Sequence, residues 1–480
     1  MKPVARVALG AALLGVCGLT AALIVVERVG VTPRALAPYV EKRSSGHNPA
    51  IVGAGQYASR TLVALDRGEV RPVLQAELHA LTLGAQQVAV GSSGGEAAQP
   101  VDVMDVDGLR AAMKKAAPGT VITLAPGAYR IGGRALDANR AGSAEAPIVV
   151  RAAQPGSVTL IATVLMAVKV SAPYWRFENL TIKGACRRDD DCEHAFQVVG
   201  AASHFAALNN TISGFNAHFK INGSKGRFPD HGLIESNTLF NPAPRATRQP
   251  VTPIDLVAAS DWTIRSNIIR DFIKLHGNRV SYGAFAKGGG SGNVFERNLI
   301  WCERELTGQP GQRVGLSLGG GGTGRSSCRD GRCITEQDGA VLRANLIVGC
   351  SDVGIYLNSA AGSRLEDNTV LETGGIDVRY PTSSAWLDGN LIDGRIRARD
   401  GALLRLGDNR DAGLWRSFVG HHPVRALFAA PTRGAFGWAG DAPQRASGPA
   451  PEAREDLCGA ARGATRIYGA FEDFTACQRP

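Results

Sequence analysis

Six short segments of the chain, "IESNTLF", "IRSNIIR", "FERNLIW", "LRANLIV", "LEDNTVL" and "LDGNLID", share one pattern: apolar-x-x-Asn-x-apolar. They bring Asn237, Asn267, Asn298, Asn345, Asn368 and Asn390 into a common register, with spacings of 30, 31, 47, 23 and 22 residues. Self-similarity at such a period is the signature of a solenoid, in which each repeat buries its apolar face only against its neighbours. The two short spacings are bare coils, and the spacing of 47 contains the "CRDGRC" excursion, so insertions are expected as loops on a constant helix of strands. A stacked asparagine can hydrogen-bond to the copies above and below it. The six asparagines therefore read as structural.

The start of the repeat region has its own signal. "DVDGLRAAMKKAAPGTVITLAPGAYRI", residues 105–131, places an aspartate cap before a short amphipathic segment, then a Pro-Gly stop and a β run. The pattern predicts a helix over 105–117, and it resembles the N-terminal entry of right-handed parallel β-helices, where such a helix covers the first open coil. With 59 glycines and 6% aromatics, the composition favours turns over long helices. The expected fold is all-β, a right-handed parallel β-helix over 101–475 with a C-terminal cap.

Residues 7–26, "VALGAALLGVCGLTAALIVV", carry no charge and follow Lys2 and Arg6. At about 1.5 Å per helical residue this run matches a bilayer core of roughly 30 Å. With the positive charges before it, the run reads as a signal anchor: 1–37 would be a cytoplasmic stub and transmembrane segment, and the remainder would face the periplasm. A cleaved signal peptide, releasing the protein, is the alternative. Residues 38–100 read as a helical and linker region, with "YASRTLVALDRG" as its best helix. The cysteines agree with export: Cys186 with Cys192, Cys328 with Cys333, Cys302 with Cys350 and Cys458 with Cys477 are expected as four disulfides. None of the short pairs has metal-binding spacing.

Further segments carry a family resemblance. "APIVVRAAQPGSVTLI" followed by "YWRFENLTIKG" resembles the early coils of the chondroitinase B and alginate lyase family of polysaccharide lyases, and "DLCGAARGATRIYGAFE" resembles the terminal motif of exported β-helix proteins. The resemblance implies a lysine base, an assisting arginine on the next coil, and calcium held by carboxylates. Lys287 looks like that lysine. Gly283 and Phe285, however, stand at the outward positions where the carboxylates would be expected, and the next coil offers Gly319 in place of arginine. No metal and no cofactor are therefore expected.

Counting back from the ladder asparagines aligns Lys287, Asn358 and Arg379, in "GAFAK", "GIYLN" and "GIDVR". Side chains alternate along a strand, so Ala284, Ala286, Ile355, Leu357, Ile376 and Val378 point inward, and Phe285, Lys287, Tyr356, Asn358, Asp377 and Arg379 share an outer face. Ser317 belongs to the intervening coil, and Asp255, Lys220 and Asn222 to earlier ones. Cations, amides and aromatics over a glycine floor fit an extended acidic polysaccharide. Coils stack at about 4.8 Å, which puts Lys287 and Arg379 roughly 14 Å apart. They cannot attack one bond. Two catalytic groupings remain open: Lys287 with Ser317 and Asp255, or Tyr356 with Asp377 and Arg379. A non-catalytic glycan-binding or envelope scaffold is the reading from a different class.

The net charge of +10 comes from scattered arginines, and export removes nucleic acid as a partner. A monomer is expected, with partners limited to the glycan and the membrane.

Overall fold

The computed structural model describes residues 15–18, 20–22, 24–67, 81–90, 99–320, 323–445, 455–463 and 466–478. Three parallel sheets of 12, 11 and 10 strands run the length of the repeat region, and each coil adds one strand to each sheet. One such coil is Thr263–Arg265, Ile268–Arg270 and Val280–Lys287. This is a parallel β-helix.

The asparagines make its corner. Asn267 lies between two short strands and is wholly buried. Its Nδ2 donates to Asn298 Oδ1 at 3.0 Å and to Ile234 O at 2.9 Å, and its backbone N–H donates to Asn298 Oδ1 at 3.1 Å. Every ladder asparagine repeats this scheme, so a column of buried amides meets its hydrogen-bonding demand from within. The column extends one coil at each end, to Asn210 and Asn409.

Inside the coils, Ile254, Leu256, Ala284, Ala286, Leu316, Leu318, Ile355, Leu357, Ile376 and Val378 form part of one continuous core. The capping helix runs Val106–Lys115, with the Asp105 carboxylate accepting from Gly108 N at 2.7 Å. It stops short of 117 because Ala117 precedes Pro118, and the residue before a proline is pushed out of the helical region. Leu109 and Met113 bury its apolar face.

All four expected disulfides are formed. Four such bonds fit an oxidising, extracytoplasmic compartment. The tail and residues 81–90 cover the outer face of the 11-stranded sheet in a second apolar cluster that includes Leu81, Leu83, Trp301, Phe436, Phe471 and Phe474.

Two helices, Pro33–Ser44 and Pro49–Arg67, are tied to the solenoid by buried ion pairs. Arg34 binds Asp66 at 2.8 Å and Glu372 at 3.0 Å, and Arg67 binds Glu303 at 2.7 Å. Half of the expected 7–26 anchor, residues 15–18, 20–22 and 24–26, is described, and the rest of it lies outside the described residues. Among the described residues no single helix is long and apolar enough to cross a membrane. Gly15–Val29 and Pro33–Ser44 meet the length and composition test together, as a pair bent by 106°.

Candidate functional site

The 10-stranded sheet positions every residue singled out above. Its strands include Ala217–Asn222, Ile254–Val257, Val280–Lys287, Gln312–Leu318, Ile355–Asn358, Gly375–Arg379 and Arg395–Arg399. Their register fixes two outward rows. One runs Lys220, Asp255, Phe285, Ser317, Tyr356, Asp377, Arg397, and the other runs Asn222, Val257, Lys287, then past Gly319 to Asn358, Arg379 and Arg399. Lys287 and Arg379 are thus three coils apart.

One facing differs from strict alternation. A Cβ on Gly283 would lie 3.0 Å from Ile300 and 3.1 Å from Phe272, both core residues, so Gly283 faces inward together with Ala284. The strand kinks at this glycine, and the outward position before Phe285 belongs to Tyr282. Nor is Phe285 an open stacking platform. It is buried at 6% exposure in a small cluster with Val257 and Ala258, against which Phe228 and Tyr282 pack. The Lys287 ammonium lies over its ring, 4.6 Å from the centroid.

The first catalytic grouping is not assembled. Asp255 Oδ2 accepts from Lys220 Nζ at 2.6 Å, and the Ser317 hydroxyl donates to Gly319 O at 2.9 Å. Neither is turned to Lys287.

The second grouping loses its carboxylate but keeps a core. Asp377 is buried and bound by Arg399 at 2.9 Å and 2.5 Å, with Arg397 at 3.5 Å, so it is a charge partner rather than a free acid or base. Tyr356 remains, its hydroxyl accepting from Asn358 Nδ2 at 3.1 Å. Arg379 is the register partner of Asn358 on the next coil. Hydrogen bonds to Asp400 first, then to Tyr356, raise its guanidinium further above the usual arginine range. Asp400 and the Tyr380 ring hold Arg379 in place.

Glycines form the floor between Lys287 and this trio. A Cβ on Gly319, at φ +71°, would lie 1.8 Å from Asn358 O, and one on Gly320 would lie 3.0 Å from Lys287 Cδ. Only glycine fits at 319, and the Lys287 side chain passes over Gly320, with its Nζ and Glu336 Oε2 at 3.6 Å and 3.8 Å from that Cβ position. Among the described residues no carboxylate pairs with Lys287.

Sequence reasoning missed one cluster on an earlier coil of the same face. The strand His194–Val199 aligns Gln197 with Lys220, and Gln197 Nε2 donates to Asn222 Oδ1 at 2.6 Å. Glu193 stands 3.7 Å from His194 Nε2. Burial pushes the Glu193 carboxyl up, and burial followed by Lys220 pushes His194 down to about 4. His194 Nδ1 and Asp255 Oδ1 are buried without a protein partner, and such atoms usually meet water or a ligand group. The usable signal was Asn210 in "ALNNTI", which extends the ladder pattern by one coil and so aligns "HAFQVV". Arg399 was equally within reach, because Asn409 in "LGDNRD" follows Asn390 by 19 residues. Among the described residues no group of three or more His, Cys, Asp or Glu is arranged to hold a metal ion.

These features define the chain as a parallel β-helix whose 10-stranded sheet bears a polar, cation-bearing outer face. No protein-family model and no curated protein matches it. Solved structures that it resembles include polysaccharide lyases. Pectate lyase Pel9A aligns at 15% identity and TM-score 0.45, over 76% of this chain and 90% of that one. An alginate lyase from Paenibacillus sp. aligns at 16% identity and TM-score 0.39, over 65% of this chain and 99% of that one. A mannuronic acid-specific family 6 lyase from human gut microbiota aligns at 14% identity and TM-score 0.39, over 65% and 82%. The likeness is one of fold.

Proposed function

We propose that the chain is an exported, membrane-tethered protein that binds an acidic polysaccharide along the outer face of its 10-stranded sheet. One observation carries the reading: among the described residues Lys287 is in no ion pair, and its ammonium stands over the Phe285 ring beside the Gly319 and Gly320 floor, in one row with Asn358 and Arg379. An uncompensated ammonium, amides and a guanidinium in register along stacked coils suit a polymer that repeats its own carboxylates. The buried apolar face of the 11-stranded sheet, covered by the tail, offers nothing comparable.

A second reading, cleavage by β-elimination, is favoured by the placement of Arg379 on the strand next to Tyr356, where its register partner Asn358 donates to the Tyr356 hydroxyl. Arg379 would neutralise a uronate carboxylate while the Tyr356 oxygen takes the proton from C5. The C4–O bond then breaks, a C4–C5 double bond forms, and the departing oxygen takes up a proton from Tyr356 or from water. Return of the proton to the opposite face, with C4–O intact, would be epimerisation.

Calorimetric titration of the full chain with alginate, pectate and chondroitin tests binding, and ultraviolet absorbance of unsaturated uronates tests elimination. Binding that is weakened in Lys287→Ala supports the groove, whereas no affinity for any of the three acidic polymers removes it. Tyr356→Phe should abolish any unsaturated product while leaving affinity within about threefold, since it deletes one oxygen from a face that grips elsewhere.

A further inference from the structure

The two ends of the solenoid are built differently. The N-terminal coil is closed by the helix Val106–Lys115. At the C-terminal end the strands Arg395–Arg399, Leu403–Leu406 and Arg410–Asp411 are the outermost members of the three sheets. Leu406 pairs in register with Leu387, which is wholly buried, yet Leu406 is 57% exposed. The core row runs out into the open. Leu403 is 67% exposed and Trp386 is 36% exposed beside it, and Arg395, Arg405 and Arg410 are exposed around them, interspersed with the exposed Asp400, Asp408 and Asp411. Solenoids ordinarily give a terminal coil a polar outer surface, and sheets ordinarily blunt such edges.

The N-terminal chain leaves the body at this same end. Glu27 accepts from Arg395 Nη1 at 2.7 Å and from Trp415 N at 3.0 Å, and Val29 O accepts from Arg397 Nη1 at 3.2 Å. Val16, Ile24 and Val25, in the helix just before this attachment, are exposed. The described part of the uncharged run, residues 15–18, 20–22 and 24–26, therefore departs from the last coil.

We infer that the open C-terminal end of the solenoid rests on an anionic bilayer surface. Leu403, Leu406 and Trp386 sit in the interfacial layer, and Arg405 and Arg410 meet lipid phosphates, next to where the apolar run enters the membrane. The inference rests on the tethered reading above. Leucine and tryptophan suit the headgroup boundary, and guanidinium groups pair with phosphate in bidentate fashion. A second copy docked two-fold on this end would leave the apolar run that departs beside it without an apolar surrounding, whereas a bilayer takes up both.

The test uses the full chain, in detergent and in phosphatidylcholine vesicles with or without phosphatidylglycerol. Flotation with vesicles reports the tether, and hydrogen exchange of the backbone over 395–411 reports the seating. The expected result is flotation with both vesicle types, with amides of 395–411 slowed about tenfold in the phosphatidylglycerol vesicles relative to detergent. The slowing should be lost in Arg405→Glu/Arg410→Glu, which still floats. A chain that floats with unchanged exchange at 395–411 overturns the inference and leaves the tether standing. Protection that grows with protein concentration in detergent also overturns it, in favour of a second copy. Failure to float with either vesicle type brings down the tethered reading, and the inference with it.

Discussion

The outer faces of the 12-stranded and 10-stranded sheets are built on the same stacked repeat and use their charges in opposite ways. On the 12-stranded sheet, Glu235, Arg265, Glu296, Arg343 and Glu366 stand in register on successive coils. Each acid faces a base one coil away. Arg265 binds Glu235 at 2.8 Å and 3.1 Å, and Arg343 binds Glu296 at 2.7 Å. On the 10-stranded sheet, Lys287 has Val257 on one side and glycine on the other. A charge matched within its own column stabilises the stack and is finished there. A charge left unmatched is available to a ligand, and Lys287 is unmatched beside paired neighbours on its own face, Lys220 with Asp255 and Arg379 with Asp400.

The largest expected effect lies beneath both faces. Leu357 is wholly buried in the core between Leu318 and Val378. Leu357→Ala should cost roughly 2 to 5 kcal/mol through the cavity it leaves, measured by denaturant unfolding. A loss far below that range would mean that the coils collapse into the gap, and then inner and outer positions would not be separable by stability.

Acid should sharpen the same division. His218 is wholly buried, its ring nitrogen bonded to Phe240 O at 3.1 Å, and burial holds its pKa down at about 3. His194 is held at about 4. An unfolded histidine titrates near 6.5, so between that value and the folded pKa the unfolded chain binds more protons. The stability from keeping these rings neutral is present above about pH 6.5 and is lost as pH falls toward 4 and then 3. His218→Gln should flatten the slope of stability against pH over this window. An unchanged slope would assign the acid sensitivity to carboxylates instead.

Much of the fold was legible because a buried asparagine cannot be placed casually. Each must find amide partners, so its recurrence announced the stack, and counting back from it put Lys287, Asn358 and Arg379 in one row. What stayed hidden depended on things that a linear pattern does not encode. Gly283 reads as one more step of an alternating strand, and only the packing against Ile300 and Phe272 shows the kink that turns it inward. Asp377 and Asp255 read as free carboxylates because their partners, Arg399 and Lys220, lie on other coils. The docking of Arg34 onto Glu372, 338 residues away, has no local signature at all.

The smallest stability effects provide the finest test of the two faces, because they set exposed cations against each other. Arg265 is partly exposed and paired across the strands, and pairs of that kind contribute about 0 to 1 kcal/mol. Lys287 is partly exposed and unpaired, so truncating it should cost no more. On stability alone Arg265→Ala and Lys287→Ala should be hard to tell apart. Glycan affinity should separate them: removing one charge-assisted contact of about 1.5 to 3 kcal/mol predicts a loss of tenfold or more for Lys287→Ala, and no change for Arg265→Ala. Titrating both variants with the same acidic polymer at two salt concentrations makes the comparison decisive, since the Lys287 contribution should shrink as ions screen it. If the two variants lose affinity equally, the polymer is reading net charge alone, and the unmatched lysine has no special place on the molecule.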